Sequence, residues 1–304
     1  MKALVSVLLG VLLAVAPPAL AQHAVAPPGL SGPSAGPIAG ASENVETVGF
    51  VRIAVEDVPA TAQWLTDEMG FTLWQFGERA SGEQSVMVML PSGQSVEFFS
   101  RRPFYERLEM KGARTVSLSL YVRDIAAAMM ALAATGVPTT DIVPLHAGGE
   151  TTYPKMFDLL FVRSFQFPLW NFSFAQRDAE GIEKVRADYP QYDDRKWQEH
   201  GNGADGLAEV WFGVRDLEAS ERSLAELALI ARTQEQGPGE RVYALDGMVL
   251  RLVSPDHPER GEEIARRIEA GGEGAFHIVF RSDAGAAASG ARAIPGSELL
   301  LEVR

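Results

Sequence analysis

The chain of 304 residues has no cysteine. That excludes thiol nucleophiles, zinc–thiolate centres, redox dithiols and disulfides, so the fold must draw its stability from apolar burial, which a chain of this size can supply. Basic charge is scarce as well: 27 Lys and Arg face 40 Asp and Glu, for a formal net charge of −13 without a basic stripe. Nucleic acid and anionic membrane surfaces are therefore poor partners. Beyond the N-terminus no unbroken apolar run reaches the roughly eighteen residues of a spanning helix, so the mature chain is expected to be soluble. A Walker loop and a dinucleotide fingerprint are also missing. Gly32-Pro33-Ser34-Ala35-Gly36 has nucleophile-elbow spacing. No strand pattern precedes it, so the match is accidental.

What is present begins with a targeting segment. Met1 and Lys2 form a short basic start, Leu4 to Ala16 is apolar, and Ala19-Leu20-Ala21 is a small-x-small cleavage site. This reads as a signal peptide over residues 1–21, removed on export to the periplasm or the medium. A membrane anchor is the rival reading, but the run is short and Pro17-Pro18 closes it. Residues 22–45 are rich in Pro, Gly, Ala and Ser. They bury too little apolar surface to offset their ordering entropy, and are expected to form a flexible leader.

The remainder repeats one pattern. Val51 to Val58, Leu118 to Ile125 and Val210 to Leu217 each alternate like a strand and end in Val-x-Asp plus an apolar residue, and Phe276 to Asp283 is a weaker fourth copy. Helical patterns follow over 59–69, 126–135, 218 to about 230, and an Ala-rich stretch to Ala293. Asp57, Asp124 and Asp216 are placed to cap these helices, and glycines to end them. The Asp residues thus read as structural. After the first helix come strands over 70–77, 84–90 and 94–100, with a turn at Pro91-Ser92-Gly93; return strands are expected over 170–175, 241–244, 248–253 and 298–303.

A strand ending Val-x-Asp, a capped helix ending Gly-Phe, and three strands with a Pro-x-Gly-x-x-x-Glu turn resemble a module of the glyoxalase-like (vicinal-oxygen-chelate) superfamily. Phe165 to Arg177 also resembles the end of the large glyoxalase-like domain of many bacterial proteins. The resemblance implies an α+β fold of four βαβββ modules in two pairs, forming curved sheets around cavities. The first pair would span 46–176 and the second 205–304, its last module truncated, with a charged linker over 177–204.

In that family one metal ligand lies on the first strand, six or seven residues before the Asp, and another is a Glu on the last strand. Mapped here, the first-strand positions hold Phe50 and Ser117, and only Glu97 matches a carboxylate; no Glu stands at Trp170, Asn171 or Phe172. The usual metal tetrad is thus missing from the first pair. Strand alternation puts Arg52, Ser117, Ser119 and Tyr121 on the cavity side with Glu97, and Arg52 with Glu97 is expected to form an ion pair. Arg52, Glu97, Ser117, Ser119, Tyr121 and Trp170 are the candidate ligand-binding residues. In the second pair Glu209, His277 and Glu302 form an alternative metal set, but Arg251 stands where the other carboxylate belongs, and a Glu209–Arg251 ion pair is the simpler account. His146, Glu150 and Tyr153 are read on a loop beside the second module, and the Phe157–Phe174 aromatics as core with some cavity wall. Three readings follow: a small-molecule binding protein without the family's metal chemistry; a lyase, isomerase or dioxygenase using a divalent metal on an altered ligand set; and an interaction protein with filled cavities. A homodimer is left open.

Overall fold

The computed structural model describes residues 44–76, 84–100, 114–147, 151–163, 172–227, 236–282 and 289–304. Strand β1 (Val45–Val55) leads into helix α1 (Val58–Asp67) and strands β2 (Trp74–Phe76), β3 (Ser85–Met89) and β4 (Ser95–Ser100). The second module repeats this as β5 (Arg114–Val122), α2 (Ile125–Ala134), β6 (Val143–His146), β7 (Lys155–Phe161) and β8 (Phe172–Arg177). Their strands form one sheet in the order β2-β3-β4-β1-β5-β8-β7-β6. In each module the first strand runs parallel to its last, and the modules join through antiparallel β1 and β5.

The second sheet follows the same plan. It contains β9 (Ala204–Gly213), α4 (Leu217–Glu226), β10 (Gln236–Gly237), β11 (Glu240–Leu245), β12 (Met248–Val253), α5 (Gly261–Gly271), β13 (Gly274–Ser282), β14 (Ser289–Ala293) and β15 (Leu300–Val303). The strand order is β10-β11-β12-β9-β13-β15-β14. The protein is thus α+β, with paired modules in two curved sheets.

Several local expectations change. The stretch up to Ala293 does not end a helix: residues 289–293 are strand β14, and 283–288 lie outside the described residues. His146 ends strand β6 and its Nδ1 lies 2.7 Å from the Tyr153 carbonyl, whereas Glu150 lies outside the described residues. Residues 177–204 are a folded element as well as a connection, with helix α3 (Ala179–Asp188) and 3-10 turns at Pro190–Tyr192 and Asp194–Trp197. Charge concealed this helix: only Ile182 and Val185 of α3 are buried, too few for a strong apolar stripe.

The caps form as the repeat requires. Asp57, Asp124 and Asp216 accept from the backbone N–H three residues on, at 2.9, 3.0 and 2.8 Å, and Asp178 does the same for α3 at 2.9 Å. Val51, Ile53 and Val55 of β1, with Leu118, Leu120 and Val122 of β5, are buried on the helix side. The same core takes in Val210, Phe212 and Val214 of β9 and Ile278 and Phe280 of β13, so the apolar faces of the two sheets share one cluster. Phe172 stacks on Phe212 and Phe71 packs on Phe280 across this junction, at 6.2 and 4.8 Å between ring centres.

The connection between the pairs is latched onto the first. Asn202 donates to the Met69 carbonyl at 2.7 Å. The Thr72 N–H donates to Nδ1 of His200 at 3.1 Å, so the ring proton must sit on Nε2, which donates to the Met89 carbonyl at 2.9 Å. Burial holds His200 below the usual histidine range; the Met89 carbonyl opposes this only in part. A depressed folded value means that stability is complete above the unfolded value of about 6.5 and is lost as pH falls through the folded value. His277, also lowered mainly by burial, acts in the same sense.

Two outcomes are expected. Asp216→Ala should destabilise by about 1 kcal/mol in denaturant unfolding. The melting temperature should fall as pH drops from about 6.5 towards 5, and His200→Gln should flatten part of that decline; a profile unchanged by the substitution would remove His200 from the account.

Candidate functional site

Alternation places one residue in two of each central strand on the face away from the helices. In β1 these are Phe50, Arg52 and Ala54, aligned with Ser95, Glu97 and Phe99 of β4. In β5, Ser119 and Tyr121 align with Ser173 and Ala175 of β8. Met87 of β3 and Phe157 and Leu159 of β7 extend the face outwards.

Arg52 and Glu97 form an ion pair, Nε to Oε2 2.7 Å, with side chains 2 % and 0 % exposed. The guanidinium also lies 4.2 Å over the Phe99 ring. The corresponding pair in the second module is neutral: Ser119 and Ser173 hydroxyls are 2.7 Å apart. Arg52 faces Glu97 and Ser119 faces Ser173 at matching places before Asp57 and Asp124, so Ser173 holds the second carboxylate position, not the Trp170–Phe172 stretch.

Beside this layer lies a cavity of about 110 Å³. Its apolar wall is Phe50, Trp74, Met87, Met89, Phe157 and Leu159, and Ile182 and Tyr192 close it from α3 and the first 3-10 turn. Its polar edge holds Ser95, Ser119, Tyr121, Arg177 and Asp194. The Tyr121 ring lies over Gly49, where a Cβ would fall inside it, and its hydroxyl donates to the Gly93 carbonyl at 3.3 Å. Gly49 sits at a register shift between β1 and β5, so the bulge makes room for the ring. Burial pushes the Tyr121 phenol up to about 12; the Arg177 charge pulls it down and Asp194 adds to the rise. Tyr121 therefore stays protonated at neutral pH. Asp194 is held by Arg186 through Nε–Oδ1 and Nη2–Oδ2 contacts of 2.8 and 3.0 Å.

Of the residues expected at a ligand site, Ser119 and Tyr121 line the cavity, Arg52 and Glu97 pair with each other on the same face, and Ser117 aligns with Arg52 without lining it. Trp170 lies outside the described residues. Sequence reasoning missed Met87, Met89, Ala175 and Arg177, although the alternation that placed Tyr121 reaches them on β3 and β8. It missed Ile182, Tyr192 and Asp194 because their segment reads as a linker.

The second sheet carries a charged cluster on its corresponding face. Glu209 accepts from Trp211 Nε1 at 2.6 Å and Arg251 Nε at 3.0 Å, so the expected Glu209–Arg251 pair forms. Arg251 also reaches Glu240 at 2.7 Å. Glu302 lies 3.0 Å from His277 Nε2 and is gripped by Arg304 at 2.6 Å. Burial alone would raise Glu302, but Arg304 and His277 hold it below the usual carboxylate range.

Neither donor set fits a divalent metal. The first offers one carboxylate, already paired, with Phe50 and Ser117 at the neighbouring ligand positions and Ser173 at the other carboxylate position. In the second, guanidinium groups occupy both Glu209 and Glu302, and Arg251 would set a positive charge beside the ion. Among the described residues no three His, Asp or Glu side chains come together as a metal site.

No protein-family model matches the chain, and no curated protein is significantly similar to it in sequence. Solved structures do share its architecture. A hypothetical protein from Staphylococcus aureus superposes with TM-score 0.57 at 9 % identity, over 84 % of this chain and 98 % of the other. A mutant of 4-hydroxymandelate synthase from Streptomyces coelicolor gives 0.56 at 14 % identity, over 79 % and 72 %. The fold is that of the glyoxalase-like, vicinal-oxygen-chelate superfamily.

The buried pair predicts a sharp asymmetry. Arg52→Met or Glu97→Gln alone should destabilise by roughly 3–5 kcal/mol, because one buried charge or its hydrogen-bonding partner is left behind. The double variant Arg52→Met/Glu97→Gln should lose much less than the sum of the two single losses in denaturant unfolding; additive losses would show that the two do not act as a pair.

Proposed function

We propose that the protein is an exported binding protein that holds a small molecule with an apolar, ring-sized body in the cavity of the first sheet, without metal chemistry. The observation that carries this reading is the cavity, about 110 Å³ and walled by Phe50, Trp74, Met87, Met89, Phe157 and Leu159. A dry apolar cavity on the order of 150 Å³ takes up a benzene-sized guest, so the space is of the right order. The few polar groups at one edge are of the kind that orient a ligand.

The fold admits metal-dependent enzymes, so a divalent metal on an altered ligand set is the runner-up. It would fall to Glu209, His277 and Glu302, whose partners are wrong for it. The interaction-protein reading requires filled cavities, which the first sheet does not have. Export rests on the basic start, apolar run and Ala19-Leu20-Ala21 of the N-terminus. Among the described residues no helix is long and apolar enough to cross a membrane.

The test is a thermal-shift and calorimetric titration of the exported, chelator-treated protein with a panel of single-ring compounds. A binder at about a hundredfold over its Kd should stabilise by about 2.7 kcal/mol. Ala175→Leu, which grows into the cavity, should abolish that shift while the ligand-free protein still melts cooperatively. Binding that returns only on adding a divalent cation would transfer the case to the metal reading.

A further inference from the structure

Among the described residues that line the cavity, one charge is left over. The cavity's two carboxylate-related features are neutralised within the protein: Asp194 is chelated by Arg186, and Glu97 below it by Arg52. Tyr121 stays neutral. Arg177 remains. It lines the cavity from the end of β8, with its guanidinium 5.5 Å over the Tyr121 ring and packed onto Gly93. Among the described residues no carboxylate lies within ion-pair distance of it. Arg186, Arg241, Arg251, Arg260, Arg267 and Arg304 all have such partners. In a chain of net charge −13, a cation left without a carboxylate at the edge of an apolar cavity is conspicuous.

The position is also built rather than accidental. Gly93 sits in the turn at φ 79°, and a Cβ there would come within 2.6 Å of Arg177 Nη1. The absence of a side chain at Gly93 is thus what lets the guanidinium lie flat against the turn. Stacking on Tyr121 holds it from another side, which reduces the rotamer freedom lost when it engages an anion.

We infer that the cavity selects a monoanionic amphiphile, a ring-sized apolar body carrying one carboxylate or equivalent anion, with the ring against Phe50, Met87 and Leu159 and the anion on Arg177. This rests on the reading of the cavity as a small-molecule site and adds its selectivity. A charge-assisted, two-pronged guanidinium contact supplies the preference for the anion over a neutral body of the same shape.

The experiment compares 4-methylbenzoate, 4-methylbenzamide and 4-methylbenzylamine on the full chain by titration calorimetry, at low and high salt, with Arg177→Gln and Arg177→Lys. The acid should bind roughly tenfold more tightly than the amide, and the amine least. Arg177→Gln should bring the acid to the level of the amide, and Arg177→Lys should keep part of the preference. High salt should weaken the acid alone. Equal binding of acid and amide, or a preference that survives Arg177→Gln, overturns the inference and leaves the cavity reading standing. No binding of any of the three, with Ala175→Leu equally silent, overturns both.

Discussion

Every sheet in this protein has one face that must leave water, and the structure follows from how those faces are covered. In the first three modules, Val, Ile, Leu and Phe alternate along the first strand and bury on one side, where a capped helix lies against them. The helices do not cover the whole face. The strip left at the β1–β5 seam meets the equivalent strip at β9–β13, and Leu118, Phe172, Phe212 and Phe280 close the junction. The opposite faces carry smaller apolar clusters, and beside these there are charges and a cavity.

The polar groups on those opposite faces differ from one module to the next. The first places a buried arginine against the glutamate of its last strand, the second two hydroxyls, the third an arginine shared between two glutamates. Each solution satisfies polar groups that would otherwise be costly inside the protein. The polar groups of these faces are thus held in internal pairs, and in the first sheet they lie beside the cavity.

The cavity is completed from outside its own sheet. Helix α3 and the 3-10 turn after it bring Ile182, Tyr192 and Asp194 over the opening, and Tyr153 packs edge-on against Tyr189 and Tyr192 to hold them. His200 and Asn202 then fix the end of this segment to the turn after α1. The segment thus ties the two module pairs together and roofs the cavity of the first.

The sequence alone determined the repeat, the capping Asp residues and the inward parity of Arg52, Glu97, Ser119 and Tyr121. These depend on periods of two and on contacts three residues apart, which any short window contains. It also implied that Arg52 and Glu97 would pair, since a buried carboxylate needs a partner and the pattern offered one cation. Tertiary structure decided the rest. Ser173 acquired its position from strand pairing, Gly49 became the seat of the Tyr121 ring through a bulge, and a charged stretch became the roof of the cavity. Among the described residues that line the cavity, Arg177 emerged as a cation without a carboxylate only once Asp194 had found Arg186 in space, because ion pairing joins residues by distance and sequence separation does not reveal it.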